Sequence, residues 1–180
     1  IFLRRKIKNY LEIMKSKSKM IPLSVPNFVG NERKYLKNCI DTTFVSSVGK
    51  YVKDFEKKIS NYTKSKYAVS CNSGTSALHL ALTVIGIKQN EEVLVPTMTF
   101  IATANVVKYL GANPVFMDCD DFFNLDVKKT ISFILKETYF KNNITYNKKT
   151  NKKISALIVV HVFGSAANVY PLLKICKKRN

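Results

Sequence analysis

Apolar residues recur at helical spacing from the start of the chain. Leu3, Ile7, Tyr10, Leu11 and Met14 share one face, which predicts a helix over 2–14. A polar break at 15–19 follows, and then an extended run over 20–32, where Pro22 and Pro26 block helix. Asn31 is placed to cap a helix from about Glu32 to Asp41. Residues 42–51 read as a loop with Gly49 at its turn, and Val52, Phe55, Ile59 and Tyr62 mark a helix over 52–64. Strand and helix patterns then alternate. Short apolar runs at 66–71, 91–96 and 113–120 predict strands, and helical faces are expected over 73–86 and 99–111, closed by Gly86 and Gly111. A further helix is expected from Asp126 to Tyr139, followed by a solvated basic loop over Lys141–Lys153. Residues 154–164 form an unbroken apolar run, as a strand buried on both faces requires, and 168–178 begins another helix. This alternation predicts an α/β fold, a three-layer sandwich around a mainly parallel sheet.

Composition narrows the classes. The net charge is +18, with 30 Lys and Arg against 12 Asp and Glu, which invites a nucleic-acid reading. The lysines are scattered through several elements rather than gathered on one, so no nucleic-acid partner is expected. No run of about 18 apolar residues occurs, so no membrane span is expected, and the basic start lacks an apolar signal core. Cys39, Cys71, Cys119 and Cys176 are far apart without metal-ligand spacing and read as reduced thiols of a cytoplasmic protein. The two histidines, His79 and His161, have no carboxylate partner in the pattern, so neither a triad nor a zinc site is expected. His161, flanked by valines, reads as a hydrogen-bonded structural residue.

In parallel α/β sheets ligands bind outside the carboxyl ends of the strands. The turn at 71–82 therefore carries the most information. Gly74 permits close approach of a ligand to the backbone. The amides of Thr75, Ser76 and Ala77 open a helix whose dipole favours an anion, and Ser73, Thr75 and Ser76 add hydroxyls. This suits one phosphate, although a well-capped helix has the same pattern. Neither a Walker loop nor a dinucleotide fingerprint is present. Phe100, early in the next strand-to-helix turn, could stack on a flat heteroaromatic ring, or could be a core residue. The third such turn holds His161 and Gly164.

Three segments in order, SGTSALHLAL, the VPTMTFIATANVVKYLGANPVFMDCD block and ALIVVHVFG, resemble the DegT/DnrJ/StrS sugar aminotransferases. The stretch from IPLSVPNFVGNE through SKYAV is similar to the subgroup that aminates UDP-linked 4-keto-6-deoxy sugars on routes to legionaminic-acid-type nonulosonates. The resemblance implies the large domain of a type I pyridoxal-phosphate-dependent transferase, working in cell-surface polysaccharide biosynthesis as a homodimer with active sites near the subunit interface. It divides the chain into an N-terminal helix and extended arm over 1–50 and a cofactor-binding domain over 51–180 that continues beyond Asn180. Gly74, Thr75 and Ser76 match the segment that holds the cofactor phosphate, and Phe100 matches the aromatic that stacks on the pyridine ring. The loop at 43–51 matches a segment near the nucleotide-sugar pocket. The acid facing the pyridine nitrogen and the Schiff-base lysine would both lie beyond Asn180, so these 180 residues alone are expected to be inactive. The amino donor implied is glutamate. A dehydratase of the same family, with histidine in place of the lysine, and an inactive fragment stand as alternatives.

Overall fold

The computed structural model describes residues 22, 24–46 and 48–179, so the helix expected over 2–14 lies outside the described residues. The chain divides into two compact units, 1–68 and 69–180.

The first unit holds helices α1 (Glu32–Asp41) and α2 (Lys50–Thr63). Asn31 stands at the start of α1 without a side-chain cap bond; the carboxylate of Glu32 instead accepts from the Gly30 amide at 2.9 Å. Gly49, expected at a turn, is the extended residue that opens α2. The two helices touch through the rings of Tyr35 and Tyr51, 4.8 Å apart, and Tyr51 donates to Asn38 Oδ1 at 3.1 Å. Neither helix has a buried residue, so their apolar stripes remain open.

The second unit is a five-stranded sheet with helices on both faces. Its elements are α3 (Gly74–Val84), β1 (Glu92–Pro96), α4 (Ala102–Tyr109), β2 (Asn113–Met117), α5 (Val127–Lys136), β3 (Thr138–Lys141), β4 (Ile144–Asn147), β5 (Lys153–Leu157) and α6 (Tyr170–Arg179). The strand order is β2-β1-β5-β4-β3. Strand alternation sorts β1 between two cores. Val93 and Val95 pack with Leu82 of α3 and Val106 and Val107 of α4, whereas Leu94 packs with Ile134 of α5 and Leu172 of α6. This is the expected three-layer sandwich.

The sheet is mixed. β2, β1 and β5 are parallel, but β4 and β3 join antiparallel to them. The antiparallel pair comes from the segment read as the end of a helix and a basic loop. α5 stops at Lys136, and TYFK and ITYN pair across Asn142 and Asn143, both left-handed at φ 51° and 59°. Two consecutive asparagines with positive φ make the turn whose twist matches a hairpin. The tyrosine rings of Tyr139 and Tyr146 stack across the pair at 5.2 Å.

The expected strand over 154–164 is regular only to Leu157. The Ile158 amide reaches Leu94 O at 2.9 Å, and β1 then ends at Pro96. Val159 and Val160 still alternate between the two cores, so their apolar pattern is met by packing without a ladder. Residues 66–71 form no strand, because no strand among the described residues lies alongside them; Tyr67 and Val69 remain exposed.

Candidate functional site

The parallel strands set the geometry. β1 and β5 are neighbours with a common direction, so the turns that follow them, which carry Phe100 and Gly164, lie at one edge of the sheet. α3 reaches the same edge from the other side. The link after it sits at the amino edge, where the Asn90 amide donates to Gly111 O at 3.0 Å and the Asn113 amide to Glu91 O at 2.8 Å. Leu78 and Leu82 lay the helix on the sheet. A helix of 11 residues, about 16 Å long, then carries its first turn back to the carboxyl edge.

At that turn Ser73 is the N-cap. Its Oγ accepts from the Ser76 amide at 3.2 Å and lies 3.1 Å from Ser76 Oγ, and the Ala77 amide donates to Ser73 O at 3.0 Å. The expectation that Thr75, Ser76 and Ala77 offer open amides is thus corrected. Ser76 and Ala77 are engaged by the cap, and the amides of Gly74 and Thr75 are the ones left without an acceptor among the described residues. Gly74 is exposed, its φ is not left-handed, and a Cβ built on it meets nothing within 4 Å. Among the described residues neither backbone conformation nor packing calls for glycine at 74. What remains is the open space in front of it, which suits an anion approaching the two free amides and the helix dipole.

Phe100 occupies the turn between β1 and α4 and is 87% exposed, so it belongs to neither core cluster of the described residues. The turn is braced behind it by Thr97, whose amide donates to Met117 O at 2.9 Å, and by Thr99 and Thr103, whose hydroxyls are 2.9 Å apart. His161 is structural, as expected: its Nδ1 accepts from the Ala167 amide at 3.0 Å. His79 lies within α3 with its ring edge-on to Tyr109 of α4.

Sequence reasoning missed Asn124. It is buried in the loop after β2, and its Oδ1 accepts from the Val162 amide at 3.1 Å, tying the turns after β2 and β5 across the strand between them. No spacing announces such a bond. Also missed was Phe163, which stands beside Gly164 with a left-handed backbone and an exposed ring.

Elsewhere in the loop after β2, a hydrogen bond from Lys129 holds the Asp118 carboxyl below its ordinary range and raises the Lys129 ammonium in return. A cavity of about 480 Å³ lies between β5, α5 and α6, lined by Leu94, Leu157, Leu172 and Cys176. Burial pushes the Cys176 thiol up. This cavity lies on the α5 and α6 side of the sheet, whereas α3 packs on the other. Among the described residues no cluster of His, Cys, Asp and Glu could hold a metal ion, and no helix is long and apolar enough to cross a membrane.

Residues 26–180 match the profile of the DegT/DnrJ/EryC1/StrS aminotransferase family. The chain is 40% identical over 161 residues to the GDP-perosamine synthase of Caulobacter vibrioides, covering 89% of this chain and 39% of that protein. It therefore spans about two fifths of the length of such relatives. Among solved structures it resembles a DegT DnrJ EryC1 StrS aminotransferase from Brucella abortus, with a TM-score of 0.66, 30% identity, and 84% of this chain and 40% of that one covered. It also resembles the PLP form of Spr1654 from Streptococcus pneumoniae, with a TM-score of 0.66, 26% identity, and 88% and 36% covered.

Proposed function

The chain belongs to the DegT/DnrJ/EryC1/StrS aminotransferase family, and from that premise we propose that it supplies the cofactor-phosphate end of a pyridoxal-phosphate-dependent aminotransferase acting on a nucleotide-linked keto-deoxy sugar. In this reading the amino group of glutamate passes to the keto carbon of the sugar, and 2-oxoglutarate leaves. The sugar nucleotide is UDP-linked, on the subgroup resemblance of residues 21–69, and serves cell-surface polysaccharide synthesis. Two copies pair to complete the sites. Pyridoxal phosphate, when bound, supplies the electron sink that lets the amino group move.

The chain's own residues account for binding and orientation. The amides of Gly74 and Thr75 and the hydroxyls of Thr75 and Ser76 would take the phosphate, with the α3 dipole behind them. Ser73 shapes this turn through its bond to the Ser76 amide. Phe100 would cover one face of the ring. The observation that carries the reading is Gly74, a glycine with neither a backbone nor a packing reason among the described residues and open space before it.

That observation gives a two-sided test. Gly74→Ala meets no atom within 4 Å, so it should stabilise the unliganded chain by about 0.4–1 kcal/mol through the unfolded state. The same methyl should weaken pyridoxal phosphate binding, and Gly74→Val should weaken it further. Thermal unfolding and equilibrium dialysis with pyridoxal phosphate read the two effects. Ser73→Ala should behave differently, losing roughly 0.5–2 kcal/mol of helix capping. Equal cofactor affinity in the wild type and Gly74→Val would place the phosphate elsewhere. In a longer protein that carries the residues expected beyond Asn180, amino-sugar formation from glutamate with UDP-linked against GDP-linked 4-keto-6-deoxy sugar reads the nucleotide choice.

A further inference from the structure

Phe163 is an aromatic residue at φ 52°, followed by Gly164 at φ 82°. A bulky residue in the left-handed region is an outlier that persists only where its surroundings fix it. Four hydrogen bonds fix it here. The Gly164 amide donates to His161 O at 3.2 Å, and the Ser165 amide to Val162 O at 2.9 Å. The Ala167 amide donates to His161 Nδ1 at 3.0 Å, and the Val162 amide to Asn124 Oδ1 at 3.1 Å. The last bond is anchored in turn. Asp120 Oδ1 takes the amides of Phe122 and Asn124 at 2.9 and 3.0 Å, and the Asp120 amide donates to Asn124 O at 2.8 Å. Asn124 itself is only 3% exposed.

This scaffold pulls Val162 into the interior and leaves the Phe163 ring 89% exposed. A reversal of the chain alone would be served by glycine or asparagine at 163 at less strain. Among the described residues the ring gains no burial that would offset the strain. It lies at the carboxyl edge of β5, next to the strand whose edge carries Phe100, likewise exposed. We propose that the Val162–Gly164 turn is a second wall of the cofactor-edge site, with Phe163 as its contact to the ring of pyridoxal phosphate and Asn124 as the residue that positions it. The inference rests on the cofactor reading given above.

Equilibrium dialysis with pyridoxal phosphate, together with hydrogen exchange over 161–167, tests it on a protein that continues through the residues expected beyond Asn180. Phe163→Ala should weaken binding roughly tenfold, the scale of one aromatic contact, while leaving exchange at Val162 unchanged. Asn124→Leu has no acceptor, so it should weaken binding similarly and speed exchange of the Val162 amide. Asn124→Asp keeps an oxygen for that amide and should recover both. If Asn124→Leu does not fold, the exposed Phe163 decides alone. Wild-type affinity in Phe163→Ala overturns the proposal, and weakened self-association with unchanged affinity overturns it too by assigning the ring to a protein interface. Absence of binding by the unmodified protein that also carries the residues expected beyond Asn180 overturns the cofactor reading itself and this inference with it, an outcome distinct from binding that Phe163→Ala leaves intact.

Discussion

Two adjacent glutamates at the start of β1 hold the edge of the sheet opposite the candidate site. Glu92 is 2% exposed, and its carboxylate accepts from Asn147 Nδ2 at 2.8 Å and Thr150 Oγ1 at 2.7 Å. Both partners belong to the segment read from sequence as a solvated loop, so that segment is tied to β1 by hydrogen bonds to a buried carboxylate. Glu91 is less enclosed. Burial works against its charge, but the Lys88 amide, the Ser155 hydroxyl and the Lys153 ammonium together hold its carboxyl below the ordinary value of 4.5. Its folded pKa is therefore lower than its unfolded one. The stability it adds is present above about pH 4.5 and disappears as pH falls through the lowered value. Glu91→Gln should lose stability at neutral pH yet show a smaller further loss on acidification than the wild type. Urea midpoints at neutral pH and near pH ~3.5 check this. An unchanged acid slope would mean that Glu91 does not contribute.

At the scale of elements, the hairpin β3–β4 is the clearest departure from the linear reading. Its signal was present: alternating Thr, Tyr and Ile residues on either side of an Asn-Asn pair. Helical periodicity running out of α5 masked the change of period at Thr138. The turn predicts its own response to mutation. Asn143 at φ 59° tolerates glycine, whereas Asn143→Val places a β-branched residue in the left-handed region at a cost of roughly 1–2 kcal/mol. Chemical denaturation of the two variants measures the difference. Equal stabilities would show that the turn is not held as described. The segment 66–71 failed to become a strand for the converse reason: its residues suit a strand, but strand structure needs a partner ladder, which residue pattern cannot supply.

For the whole molecule, open apolar surface and net charge act in opposite directions. In the first unit Leu36, Ile40 and Phe44 are exposed on and beside helices that have no buried residue, and in the second Phe100, Phe122 and Phe163 are exposed at the sheet edge. Such surface favours association. The charge of +18 opposes it, and salt screens that repulsion within about 8 Å at physiological ionic strength. Sedimentation velocity should therefore show association that grows with added salt. A single monomeric boundary at all salt concentrations would contradict this.

The sequence by itself determined what depends on local periodicity and local backbone chemistry. It located both described helices of the first unit, the capped start of α3, the glycine closures at Gly86 and Gly111, the short strands β1 and β2, and the two turns that carry Gly74 and Phe100. These features are legible because hydrophobic period, cap residues and turn residues act over a few positions. Tertiary structure decided what depends on a partner distant in the chain. It set the end of β5 at Leu157, the last residue with a ladder partner on β1, and paired β4 antiparallel to β5. It spent two of the expected open amides on the Ser73 cap, so that among the described residues the open amides of this turn are those of Gly74 and Thr75. It also brought Asn124 to Val162 across 38 positions of sequence, a bond that leaves no periodic trace because a single side chain makes it once.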